Sequence, residues 1–325
     1  MLLKLLRPYM AVVIAIAFSV SMPTQLSAQS SDIPAWLQKH VGIGNGQIAP
    51  VVLERARELY HRKYSQGAVR NPCYLAMDAT RPSLSGGKPG RRFYVICEKQ
   101  KTFRAISSGY GNGRKLRKAN FSNGRQCAKN FSNAEGSKLT MGGSYVTAES
   151  RTSFKGYHRQ SGQRVPFYRT FLLFNGEGDT NNARERAIGG HRAVFLKWQC
   201  RFKKPSSPHA DEEGYVPYGK LVDYTAGRSN GCTTWSQSNS EEILALTEGQ
   251  PTTLFIYPEA KDINPIAKAV KSGKSLARSG LYWNAACLEA IGAPKFWPKR
   301  SLQPIINKWR RSLPKQTPWV LPICQ

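Results

Sequence analysis

Seven cysteines restrict how this chain can fold: Cys73, Cys97, Cys127, Cys200, Cys232, Cys287 and Cys324. The number is odd, and all seven follow a stretch that reads as a secretory leader. Lys4 and Arg7 supply a positive start. Residues 10–22 form an apolar run too short to span a bilayer, and Leu26-Ser27-Ala28 makes an acceptable cleavage site before Gln29. No second apolar run is long enough to span, so no stable membrane span is expected once residues 1–28 are removed. Export to the periplasm or cell envelope makes disulfides the expected state. Six cysteines allow about fifteen pairings, which leaves the connectivity open. The economical arrangement is three disulfides and one thiol. Cys232 has the setting of a reactive thiol: it stands between Gly231 and Thr233, after a Gly227-Arg228-Ser229 turn, and Gly231 permits φ > 0 beside the sulfur.

The rest of the chain alternates in ways that favour strands. Residues 51–64 place Val52, Ala56, Leu59 and Tyr60 on one helical face. Beyond Cys73, residues 92–97 and 102–106 read as a hairpin around a polar turn, and 140–147, 167–175 and 254–257 as further strands. Residues 109–122 are glycine-rich and basic, a loop, and 241–246 suit a short helix. These readings give a mainly β (α+β) fold. The expected segments are a signal peptide (1–28), an N-terminal helical leader (29–69), a β-rich domain (70–258) and a basic, Trp-containing C-terminal extension (259–325). Within the extension, residues 266–270 and 281–291 suit helices.

Charge narrows the partners. Lys and Arg number 48 against 20 acidic residues, a formal net charge of +28. Such an excess implies a polyanionic neighbour. In an exported chain, anionic wall polymers or lipid head groups suit it better than nucleic acid, for which no zinc-finger or RNA-binding signature is present. No metal-ligand spacing and no phosphate-cradling loop stands out, so no cofactor is expected.

A cysteine nucleophile needs a base. His191 ends the small-apolar run Ala187-Ile188-Gly189-Gly190, which reads as a buried strand. His158, in a polar loop, and His209, between His191 and Cys232, are lesser alternatives. Arg186 and Arg228 have the forked guanidinium that grips carboxylates, and Tyr145 suits a cleft wall. Histidine before cysteine is the reverse of the papain-like order.

Ser229-Asn230-Gly231-Cys232 after a strand-terminal His191 resembles the signature of the L,D-transpeptidases (YkuD-type). Phe131-Ser132-Asn133 with Gly136-Ser137, then Gly143 to Thr147, then Asn181 to Ile188, follow in the order of the variant branch called the murein L,D-transpeptidase catalytic domain family. Together they cover roughly residues 75 to 258. Asn230 stands where the commonest motif has histidine. The interval between His191 and Cys232 is also longer, with an insertion at about 197–218 that contains Cys200; its Pro205, Pro208 and Pro217 and the run Asp211-Glu212-Glu213 suit a surface loop better than a core strand. The resemblance implies a YkuD-like β-rich catalytic domain acting on peptidoglycan stem peptides through a Cys232 thioester. It implies His191 as base, held by the backbone carbonyl of Arg192 or a near neighbour. Backbone N–H groups of Gly231, Cys232 and Thr233 would face the oxyanion, and Arg228, Ser229, Asn230, Tyr145 and Arg186 the substrate. The acceptor would be a second stem's amine or a lysine-bearing envelope protein. With water as acceptor, the same scaffold is a carboxypeptidase or endopeptidase. A disulfide-bonded Cys232 would instead mean a non-catalytic wall-binding protein.

Overall fold

Two strands with no exposed residue lie at the middle of the molecule, β1 (Cys73–Asp78) and β10 (Thr253–Tyr257). Strands buried on both faces need cover on both, and the surrounding elements supply it. The computed structural model describes residues 33–225, 227–314 and 320–325; the leader at 1–28 lies outside them. Between β1 and β10 come β2 (Arg91–Cys97), β3 (Thr102–Ser107), β4 (Gly143–Gln160), β5 (Gln163–Gly176), β6 (Gly189–Arg192), β7 (Val194–Lys203), β8 (Tyr215–Asp223) and β9 (Thr233–Trp235). They form one ten-stranded sheet in the order β9-β6-β5-β4-β10-β1-β2-β3, with β7 and β8 as a hairpin branching from β4. The mixed fold, richest in sheet, agrees with the mainly β expectation.

One face of the centre is covered by α2 (Pro50–Ser65), which follows the one-turn α1 (Ala35–Gln38). Val52, Ala56, Leu59 and Tyr60 are all buried, as their spacing predicts, and the Tyr60 ring stacks on Tyr74 of β1 at 4.9 Å. Leu75 and Met77 point to the opposite face because strand side chains alternate. There they join a core with Trp235, Ile243, Ile266 and Trp283. The helices on this side are α3 (Gln237–Thr247) and α4 (Ala260–Lys271), followed by α5 (Ala285–Ile291) and α6 (Lys299–Ser312). Ser236 caps α3 by accepting from the Asn239 amide.

Residues after Pro258 share this core. Cys127 is bonded to Cys287, and residues Lys295–Trp297 pair in parallel with Asn130–Ser132. Leu302 and Ile306 of α6 are buried against Phe121 and Leu139. Residues 34–325 form one compact unit. The two other disulfides are Cys73–Cys97, directly across β1 and β2, and Cys200–Cys324. Six cysteines are therefore paired, and Cys232 is free. Three disulfides suit an oxidising compartment. Among the described residues no helix is long and apolar enough to cross a membrane.

Two sequence expectations change. The 197–218 segment is mostly strand rather than surface loop. Its prolines mislead because Pro205 and Pro208 lie in the tip between β7 and β8, while Pro217 sits opposite Arg201 within the hairpin. Val194 and Leu196 bury against Phe167, an alternation that makes β7 a strand. Arg201 holds the acidic tip through Glu213 at 2.9 Å, and Cys200–Cys324 clips the arm to the C-terminus. His158 likewise lies in the long strand β4, paired with Val165, and not in a loop.

Candidate active site

Local sequence brings His191 and Cys232 to one pocket. His191 is on β6, opposite Phe171 of β5 on one side and Thr234 of β9 on the other. Cys232 immediately precedes β9. Trp235, fully buried at the end of β9, packs against Gly190, where a Cβ would collide with its ring, and meets Phe93 edge-on at 5.2 Å. That contact locks β6 against β9 and so fixes the strand that carries His191. Gly231 adopts φ +115°, and a Cβ there would stand 2.9 Å from the Ile188 side chain. The turn before Cys232 thus requires glycine. Ser229 completes it: its hydroxyl donates to the Cys232 carbonyl at 2.6 Å and accepts from the Gly231 amide at 3.0 Å.

The pocket has a volume of about 950 Å3 and is lined by Cys232, His191, Phe171, Ser229 and Asn230, with four arginines: Arg125, Arg169, Arg186 and Arg228. The root of the β7–β8 arm adds Phe195, Asp223 and Tyr224. Cys232 is 8% exposed, and its thiol donates to the Ala187 carbonyl at 3.5 Å. Ala187 holds φ +50°, a strained conformation for a residue with a Cβ, beside the sulfur. Burial pushes the Cys232 thiol up, while the Gly189 amide and the Arg169 and Arg186 guanidiniums partly offset this by favouring the thiolate.

His191 is 3% exposed and its ring stacks on Phe171 at 5.6 Å. Nδ1 lies 2.8 Å from the Arg192 carbonyl. A carbonyl only accepts, so Nδ1 carries the proton and Nε2 the lone pair. Arg169 Nη2 lies 2.6 Å from Nε2 and 2.9 Å from Nδ1. Closeness to both ring nitrogens places Nη2 against the ring and off the in-plane direction of the Nε2 lone pair, so neither approach is a well-formed hydrogen bond. Burial, then the Arg169 charge, lower His191 to about 4, with the Arg192 carbonyl acting in the opposite sense. At neutral pH the pair is therefore a thiol and a neutral imidazole. The two groups make no hydrogen bond to each other: the thiol faces Ala187 and the imidazole faces Arg169.

The other sequence candidates divide. Arg186 lines the pocket but is anchored, donating to the Leu139 carbonyl at 2.7 Å. Arg228 is exposed at the rim, with one donor on the Asn123 carbonyl at 3.3 Å, and Asn230 is exposed beside it. Ser229 and Thr233 are buried parts of the turn and sheet. The Gly231 amide is committed to Ser229, and Thr233 stands in the β6–β9 ladder opposite Gly190. Tyr145 is 1% exposed, donates to the Met141 carbonyl at 2.7 Å and does not line the pocket, so its expected place on the cleft wall is corrected to the core. His158 bonds only its neighbour's carbonyl, and His209 stacks on Phe154 at 4.2 Å. Neither reaches this pocket.

Arg169 escaped the sequence reading. The signal was present: Tyr168-Arg169-Thr170 interrupts an apolar strand, and Arg169 lies two residues from Phe171, hence on the same face as the residue opposite His191. Among the described residues no cluster of metal-ligating side chains occurs. No family model, curated protein or solved structure matches the chain.

Proposed function

We propose that this chain is an exported cysteine acyltransferase of the L,D-transpeptidase type, acting on peptidoglycan stem peptides in the periplasm or cell envelope. The observation that carries this reading is the combination at one pocket: Cys232 is the free cysteine, its neighbour His191 has the tautomer of a base, and arginines surround both. In this reading the Cys232 thiol loses its proton to His191 Nε2 and the sulfur attacks a stem-peptide carbonyl. The backbone amide of Cys232 steadies the oxyanion. The C–N bond then breaks, and the leaving amine takes the proton from the imidazolium. A thioester remains. An amine of a second stem or an envelope-protein lysine gives a cross-link or attachment; water gives hydrolysis. The paired cysteines and the leader-like N-terminus support export, and the net charge of +28 supports contact with anionic wall polymers.

Incubation with purified peptidoglycan, followed by mass analysis of the stem peptides, tests this with Cys232→Ala as the blank. Cross-linked stems lacking the terminal residue support transfer, and shortened uncross-linked stems support the hydrolytic variant. Identical stem profiles for the wild type and Cys232→Ala sink both.

A further inference from the structure

The β4–β5 hairpin and the β7–β8 arm form a second cleft, of about 850 Å3, that shares no lining residue with the Cys232 pocket. Its floor is Phe167, 3% exposed and packed on Val194 and Leu196. The Arg192 guanidinium lies over that ring at 4.4 Å and donates to the Tyr168 carbonyl. The walls are polar and unengaged. Arg159, Gln160, Gln199 and Lys220 are exposed, and their side chains make no hydrogen bond or ion pair among the described residues. No acidic residue lines the cleft. The acidic tip of the arm is held by Arg201, through Asp211 at 3.4 Å and Glu213 at 2.9 Å. Glu241 attracts Arg192 but forms no ion pair with it, and accepts from Gln237 at 3.1 Å.

We propose that this cleft is a second binding site, which holds a segment of an acidic oligosaccharide. Three cations, Arg159, Arg192 and Lys220, meet at a concave surface that has no carboxylate of its own, so an anionic ligand complements it. Guanidiniums and ammoniums form charge-assisted hydrogen bonds with carboxylates. The amides of Gln160 and Gln199 both donate and accept, which is what sugar hydroxyls require of a partner. Tyr168, 40% exposed, adds a ring face and a hydroxyl. Arg192 caps Phe167, so the cleft offers amides, hydroxyls and cations in front of that ring rather than an open apolar pocket for a peptide side chain. The inference stands apart from the chemistry of Cys232, with which the cleft has no lining residue in common. Beside a wall-directed active site, such a cleft anchors the polymer while the Cys232 pocket takes the reacting segment.

Calorimetry with the full chain tests this at about 0.15 M salt, where charges beyond about 8 Å are screened. The probes are tetragalacturonate, its full methyl ester and tetra-L-glutamate. The acidic saccharide should bind about tenfold or more tightly than either of the others. Arg159→Gln/Lys220→Gln should weaken it by about tenfold or more, and since both side chains are exposed and unbonded the fold is retained. Lys308→Gln/Arg311→Gln removes the same charge from exposed positions of α6 and should change binding by no more than about twofold. Equal weakening in the two double variants would mean general attraction to a basic protein and overturns the site, as does the absence of any binding by the wild type. Tetraglutamate binding as tightly as the saccharide overturns it in favour of an acidic peptide. Cys232→Ala should bind the saccharide like the wild type while giving no stem-peptide product, so loss of either result leaves the other standing.

Discussion

Arginines on the two sides of this molecule are treated in opposite ways. On the α2 side, Arg55 bonds Asp262 through two hydrogen bonds, at 2.7 and 2.8 Å, and Glu259 at 2.9 Å. Arg57 bonds Glu98 at 2.8 Å, and the Tyr74 hydroxyl donates to the same carboxylate at 2.9 Å. These forks tie α2 to the start of α4 and to the residue after β2. In the Cys232 pocket Arg125, Arg169, Arg186 and Arg228 pair with no carboxylate among the described residues. A half-buried cation left unpaired raises the energy of the folded state unless a ligand or solvent serves it. The difference teaches that the first set holds elements together, while the second, apart from the anchored Arg186, is left to ligand or solvent.

The largest expected effect separates the two sets by activity. His191→Gln should lower Cys232 acylation by roughly 10²–10⁴-fold, the worth of a general base, with little change in the urea midpoint. Cys232→Ala should abolish it. A His191→Gln protein that acylates at near the wild-type rate would remove His191 from the chemistry.

A second effect is read in stability. The His191 pKa is depressed to about 4 against 6.5 when unfolded. Its contribution is fully present above pH 6.5 and is lost as pH falls towards 4, because the unfolded chain binds the proton first in that window. Relative to His191→Gln, the wild type should lose up to about 3 kcal/mol of unfolding free energy between pH 7 and pH 4. Parallel pH profiles from urea melts would show that His191 is not held neutral by its surroundings.

The paired side is tested by Asp262→Asn. Asp262 is 8% exposed and accepts from Arg55 and from the Glu259 amide. Its loss should cost about 2 kcal/mol in a urea melt while leaving acylation per folded molecule unchanged. Loss of activity without loss of stability would erase the contrast between the two sides. The smallest effect is expected at Glu135, which meets Arg310 at 2.9 Å with both side chains over 40% exposed. Glu135→Gln should stay within about 0.5 kcal/mol of wild type in the same assay, since exposed pairs contribute little.

Periodicity made much of the fold legible before the structure. Val52, Ala56, Leu59 and Tyr60 specify the buried face of α2, and the residues around Leu254–Tyr257 a strand covered on both sides. Short-range grammar also marked the site: Gly231 beside Cys232 and the strand ending at His191 are both local features. The 197–218 arm misled because its prolines are visible in sequence while their places at a hairpin tip and within one paired strand are not. Helix α6 was missed although Leu302, Ile305, Ile306 and Trp309 recur at helical spacing, because Pro304 and the basic residues around it obscure the pattern.

The sequence by itself determined which thiol stood apart, which histidine was its neighbour and that the chain would be basic and rich in strand. These depend on residue type, local spacing and an odd cysteine count. Tertiary structure alone decided that Arg169 lies against His191, that Tyr145 belongs to the core and that α6 packs behind the site through Leu139. Each of these joins residues far apart in the chain: Arg169 meets His191 because β5 and β6 pair in one register, and Leu139 supports both α6 and Arg186. A one-residue slip would turn Arg169 to the other face. Register is set by the packing of the whole sheet, and the polar break at Arg169 does not by itself name His191 as its neighbour.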